Sequence, residues 1–451
     1  MKSAVLLIIV CTCAIGKAAF AQSVDSTSRA LPAQADSAEA WSMHFQFTMI
    51  QQKHPPFSAA YSGLNSLGDS SESDYSVTST LFLGRTLWRG AEIYLNPELA
   101  GGSGFSLTRG VAGFPNGEVY RVDDPSPKIT TARLFLRQRI ALGGDSTESI
   151  DADENQLAGT VSKSRLTLTG GKFSLTDIFD NNAYSHDPRT QFTNWAMWAP
   201  GAWDYAADTR GYTWGIAAEL DQEGWDLNFA YVLMPTFANG PYFDMNLPDA
   251  RSLNLEFIKP YNLFSHTGKV HVIGFLNRAD MGNYRDAITE AAASGTAPDV
   301  TKTRAYSSKY GFAVSLEQPL SETVGFFSRL SWDDGKTETF VFTEIDRSFQ
   351  VGVNVTGNGW NRAEDNVGIG YVVNGLSQDH RDYLEAGGYG FLIGDGRLSY
   401  GLEQINETFY DAKITHSFSL TLDNQLILNP GYNKDRGPLV EVIGIRAHEE
   451  F

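Results

Sequence analysis

"YTWGIAAELDQEGWDLNFAYVL", residues 212–233, alternates twice across a short turn. Tyr212, Trp214, Ile216, Ala218 and Leu220 fall on one side of the first run and Thr213, Gly215 and Glu219 on the other. After residues 221–224, Trp225, Leu227, Phe229, Tyr231 and Leu233 oppose Asp226 and Asn228. Period two marks a strand with one apolar face, and two such runs joined by a glycine-containing turn predict an antiparallel hairpin.

The rule recurs along the chain. Odd positions from Trp41 to Met49 are large and apolar while even ones are polar. Ala91, Ile93, Leu95, Pro97 and Leu99 alternate with Glu92, Tyr94, Asn96 and Glu98. Ala132, Leu134, Leu136 and Ile140 alternate with Thr131, Arg133, Phe135, Arg137 and Arg139. Near the end, Ala412, Ile414, Phe418, Leu420 and Leu422 oppose Thr415, Ser417, Ser419, Thr421 and Asp423. The final segment sets Ile443, Ile445 and Ala447 against Arg446 and His448 and stops on Phe451. A soluble sandwich would alternate in the same way. The flanks point instead to a membrane wall: Trp88, Tyr212, Trp214 and Trp225 gather at strand ends as an aromatic girdle would. An all-β, transmembrane antiparallel β-barrel is therefore expected, with about 16 to 18 strands. Residues 337–356 and 397–405 are the least regular. The strand ending at Phe451 should close against the one near residues 41–49, because lipid tolerates no open sheet edge. A barrel of this size encloses water, so a pore is the default function.

The ends and the composition agree with export. Residues 1–21 carry Lys2, an apolar run from Ala4 to Val10 and beyond, and Ala19-Phe20-Ala21, the features of a signal peptide. Both cysteines, Cys11 and Cys13, lie inside it, and the residues around them do not favour a lipoprotein. Residues 22–40, rich in Ser, Asp and Ala, are expected to form a flexible leader, and residues 41–451 the barrel. A net charge of −18 excludes nucleic acid as a partner and suits sugars or a solvated surface. No 18-residue apolar stretch follows the signal.

The long connection before residue 210 lacks a period yet is rich in both aromatic and charged residues. "GKFSLTDIFDNNAYSHDPRTQFTNWAMWAPGAWDYAADTRGYTWG", residues 171–215, resembles the signature of the carbohydrate-selective outer-membrane porins, the OprB family. "GFLNRADMGNYRDA" (274–287), "GYVVNGLSQDHRDYLEAGGYGFLIGDG" (370–396) and "NPGYNKDRGPLVEVIGIRAHEEF" (429–451) are similar to later blocks of that family. The resemblance implies 16 antiparallel strands and passive diffusion of mono- and oligosaccharides across the bacterial outer membrane into the periplasm.

By the pleat, Arg133, Arg137, Arg139 and Arg165 share the lumen face with Glu92, Tyr94, Glu98, Glu219 and Glu256. Guanidinium and carboxylate groups make paired hydrogen bonds to vicinal hydroxyls, and aromatic faces cover the C–H side of a pyranose. Arg133, Arg137 and Glu98 are the leading candidates for a constriction. Asp204, Asp208 and Arg210 of the long connection serve either as sugar contacts or as ties between loop and wall. The expected partners are small sugars as solutes, outer-membrane lipid and the barrel-assembly machinery. Monomer or trimer, and thus a homo-oligomer, stays open.

No enzyme is expected and no cofactor. The "HRD" at 380–382 stands without the other kinase motifs, and no hydrolase elbow or zinc motif occurs. His416 beside Ser417 keeps an outer-membrane hydrolase as an alternative, and a secreted glycan-binding β-protein is another. The acidic segment 145–154 lacks the spacing of a calcium loop and is read as a charged rim.

Overall fold

The computed structural model describes residues 39–119, 125–144, 146–437 and 439–451; the expected signal and nearly all of the leader lie outside them. Period-two segments form strands because alternate side chains then meet lipid on one side and the packed lumen on the other. They are β1 (Trp41–His54), β2 (Glu72–Trp88), β3 (Ala91–Gly102), β4 (Lys128–Ala141), β5 (Thr147–Ile150), β6 (Gly159–Ser162), β7 (Arg165–Phe173), β8 (Thr213–Gln222) and β9 (Trp225–Val232). The second half holds β10 (Arg251–Leu263), β11 (His266–Met281), β12 (Ala305–Pro319), β13 (Val324–Asp333), β14 (Arg347–Gly357), β15 (Arg362–Gly375), β16 (Glu403–Lys413), β17 (Phe418–Leu428) and β18 (Val440–Glu450).

Sixteen of these form one closed antiparallel barrel, and β5 and β6 pair only with each other. The barrel closes as the sequence predicts: β1 pairs with β18 from Gln46↔Glu450 to Lys53↔Ile443. Phe45 and Phe451 exchange backbone hydrogen bonds of 2.7 and 3.0 Å, and their rings lie 5.2 Å apart. Of the irregular stretches, 337–346 and 397–402 lie in loops, and the strands begin at Arg347 and Glu403.

The sequence reading of the pleat fails at two places. Asn96 pairs with Arg133 but Pro97 with Thr131, so Ala132 is an extra residue in β4. Proline has no N–H for the ladder, and a bulge there removes the need for one. Upstream of it the phase is reversed, so Ala132 is buried within and Thr131 is exposed on the outer wall, opposite to the sequence reading. The second is Tyr212. It precedes β8, Gly211 before it turns the chain at φ 91°, and its ring is buried in the lumen instead of joining the girdle.

Leu134 lies midway along β4 and faces outward. Leu134→Arg is expected to cost about 2–4 kcal/mol of folding free energy in bilayers, whereas Thr131→Arg, close to the long-loop rim, should cost about 0–1 kcal/mol because cost falls with depth. Denaturant titration of both variants in lipid vesicles checks the ranking.

Turns of two to four residues alternate with long connections, except at 142–164, where β5 and β6 occupy the short-turn rim. The long connections fold into the barrel and carry the core with them: Phe114, Phe192, Trp203, Phe340, Leu392 and Tyr432 are all buried there. Inward carboxylates of the wall accept their backbone amides. Glu403 takes Ala112 (3.0 Å), Gly113 (2.7 Å) and Gly431 (2.8 Å); Glu407 takes Thr193 (2.6 Å) and Asn194 (3.1 Å); Glu256 takes Asp180 (2.9 Å). Buried N–H groups need partners, and the carboxyl oxygens supply them.

Candidate functional site

The connection 174–212 crosses the lumen and is gripped from the wall by both of its backbone groups. Glutamates take its amides, while Arg446 donates to the carbonyls of Pro188 (2.9 Å) and Gln191 (2.6 Å), and Arg329 to that of Met197 (2.9 Å). Asn194 accepts from the Ala196 amide and caps the single turn Trp195–Trp198. These ties hold its polar groups around a cavity of about 370 Å³.

One side of the cavity is charged. Arg133 makes a two-pronged pair with Asp177, at 2.6 and 2.7 Å, and lies 5.1 Å from the Tyr212 ring centroid. Arg189 reaches Glu118 (3.0 Å) and Glu98 (3.2 Å), and Arg210 reaches the other oxygen of Glu98 (2.9 Å). Burial works against the Arg189 charge, yet Glu118 and Glu98 hold its pKa well above the usual guanidinium value. Asp208 pairs with Lys172 at 3.2 Å. The facing side is aromatic: Trp195 stacks on Phe342 at 6.1 Å, and Trp198 and Tyr205 pack on the same ring at 5.2 and 4.8 Å. Flat apolar faces opposite forked donors and carboxylates match the two surfaces of a sugar ring.

Of the residues expected from sequence, Arg133, Asp208 and Arg210 line this cavity. Glu98 is buried directly behind it and accepts from Arg189, Arg210, Tyr212 (3.0 Å) and Thr80 (2.9 Å). Glu92, Tyr94, Arg137 and Arg139 form a separate cluster nearer the short-turn rim, where Tyr94 donates to Glu92 (2.7 Å), Arg139 pairs with Glu92, and Arg137 lies 4.0 Å from it. Arg165 is occupied by Glu148 (2.6 Å) and Asp221 (2.7 Å). Asp204 is not part of the lining and holds the loop 334–346 by accepting from the amides of Phe340 and Val341. Arg189, Glu118, Asp177 and Glu154 also line the cavity but carry no periodic signal in the sequence. Arg189 is marked only by its place in the stretch that mixes charge with tryptophan. Among the described residues no group of three or more His, Cys, Asp or Glu is placed to hold a metal.

The family model for the carbohydrate-selective porins, OprB family, matches residues 66–451. The chain belongs to the OprB family. This OprB-family porin is similar in structure to Pseudomonas putida OprB at high pH, with a TM-score of 0.64 at 15% identity over 91% of this chain and 94% of that one. The outer membrane channel DcaP of Acinetobacter baumannii gives 0.51 at 7% identity, covering 91% and 98%. At such identities these likenesses show the barrel fold. A comparison with curated proteins returned no match. Family and fold together make the protein a carbohydrate-selective porin of the bacterial outer membrane.

Proposed function

We propose that sugars are selected in the cavity between the 174–212 connection and β3–β4, with Arg133, Asp208 and Arg210 as direct contacts and Glu98 as the group that sets the two guanidiniums of Arg189 and Arg210. The observation that carries this reading is the convergence of three arginines and an aromatic wall on one cavity. Arg137, Arg139, Arg165, Glu92 and Tyr94 then shape the path toward the periplasm, and Asp204 acts on the loops alone.

The channel has no catalytic role in this reading. His416 and Ser417 sit on the turn between β16 and β17, with His416 exposed, and neither lines the cavity. The apolar outer wall suits lipid, and β18 followed by Phe451 suits the assembly machinery; a homo-oligomer would pair such walls.

Liposomes carrying the wild-type protein should swell in glucose and progressively less in larger oligosaccharides. The Arg133→Ala/Arg210→Ala pair should flatten that size series and shift the reversal potential toward cations, since rings of charge set pore selectivity. An unchanged series in the double variant would remove these arginines from the selecting zone.

A further inference from the structure

The connection 142–164 leaves the short-turn rim, the periplasmic side in barrels of this kind. Its hairpin does not hang free. Arg165 donates to Glu148 (2.6 Å) and to the Ser162 carbonyl (3.1 Å). Arg137 donates to the Asn155 carbonyl at 2.8 Å, and Ala158 and Glu39 bind each other through backbone and side chain. Leu157 is buried against the cluster that holds Tyr94, Phe135 and Phe173. The tip is tight: Asp153 and Gln156 exchange backbone hydrogen bonds of 3.1 and 3.0 Å, with Asn155 at φ 55°, a left-handed value that asparagine tolerates.

Glu154 sits on that tip and lines the same cavity as Arg133 and Arg189, reaching from the opposite rim to the loops that form the rest of it. Glu118, Asp177 and Asp208 each have a cation partner within 4 Å. Glu154 has no such partner among the described residues, although Arg189 and Arg133 act on its charge across the space. The fold thus lifts a carboxylate into the lumen, fastens the loop beneath it, and leaves its oxygens toward the open cavity.

We propose that Glu154 is a specificity-determining residue on the periplasmic floor of the sugar cavity, accepting hydrogen bonds from sugar hydroxyls while Arg133 and Arg189 donate from the other side. This rests on the sugar-porin reading above. Burial pushes its carboxyl up to about 7, with Arg189 and Arg133 opposing that rise and Asp187 and Asp153 adding to it. Hydrogen bonds donated by sugar hydroxyls favour the charged form of such a carboxyl, as Arg189 and Arg133 do.

Single-channel recording of Glu154→Gln and Glu154→Ala in planar bilayers, with glucose as the blocking solute, tests the assignment. Both variants should shift the reversal potential toward anions, and the apparent glucose affinity should fall several-fold in Glu154→Ala and less in Glu154→Gln, which keeps an acceptor oxygen. A Glu154→Cys variant supplies a second readout, because both native cysteines lie in the predicted signal. A charged methanethiosulfonate added on the periplasmic side should reduce its current, and glucose should slow the reaction. Heat-modifiable migration verifies that each variant is folded. Wild-type glucose block in Glu154→Ala, or a thiol at 154 that reacts at the same rate with and without glucose, would overturn the role of Glu154. The porin reading itself fails separately, if wild-type liposomes do not swell in glucose.

Discussion

Glu98→Ala should be among the most damaging single changes in the lumen, lowering stability by about 3–5 kcal/mol and shifting the channel toward anions, because it removes one partner from a buried charged network. Glu98 is 3% exposed, and its carboxylate accepts from Arg189, Arg210, Tyr212 and Thr80. Two guanidiniums that it holds side by side would then face each other with one compensating charge fewer. Arg189 keeps Glu118 and swings toward it. The Tyr212 hydroxyl loses its acceptor, and with it the ring over which Arg133 is placed. Glu98→Gln should be intermediate, since its carbonyl still accepts while the charge is gone. Urea titration in vesicles measures the first effect and the reversal potential the second. Stability within about 1 kcal/mol of wild type in Glu98→Ala would mean that the arginines are held by their other partners.

What could be seen in the sequence was whatever obeys a period. Strand pairing at the seam, the outward Leu134 and the inward Glu92, Tyr94, Glu98, Arg137 and Arg139 all follow from alternation. Depth does not. Arg133 and Arg137 share a face of β4, yet one meets the inward loop and the other meets the hairpin from the opposite rim, four residues apart in the strand. Pro97 alternates like its neighbours in the sequence, yet it has no N–H for the ladder; the register slips there and the phase of Thr131 and Ala132 is lost with it. The acidic composition carried a further ambiguity. Glu256, Glu403 and Glu407, suited by chemistry to sugar hydroxyls, are spent instead on loop amides. The segment 145–154, taken for a charged rim, includes half of a hairpin that enters the lumen. No local rule links it to Arg189, because the two meet only once the barrel has closed.

Asp204→Ala should have a comparable cost and a different phenotype. One oxygen of Asp204 accepts from the amides of Val341 (2.8 Å) and Phe342 (3.3 Å), the other from Phe340 (2.9 Å) and from Lys309 (3.3 Å). Lys309 is fully buried on β12, so the alanine strands an ammonium in the interior as well as three loop amides, and about 3–5 kcal/mol is expected from the broken pair. Asparagine cannot repair this, because its amide offers one acceptor oxygen and turns donors toward Lys309 or the loop. The functional consequence runs through Phe342, whose ring is the surface on which Trp195, Trp198 and Tyr205 pack. Once the 334–346 loop is released, the aromatic wall loses its backing while the arginines opposite keep their carboxylates. Size selection should therefore relax, with larger oligosaccharides entering liposomes, and ion selectivity should move little. Glu98→Ala predicts the reverse ranking, a large shift in reversal potential with the aromatic wall intact. Swelling series and reversal potentials recorded on both variants separate the two halves of the cavity, and an Asp204→Ala channel with the wild-type size cutoff would show that the wall stands without its clamp.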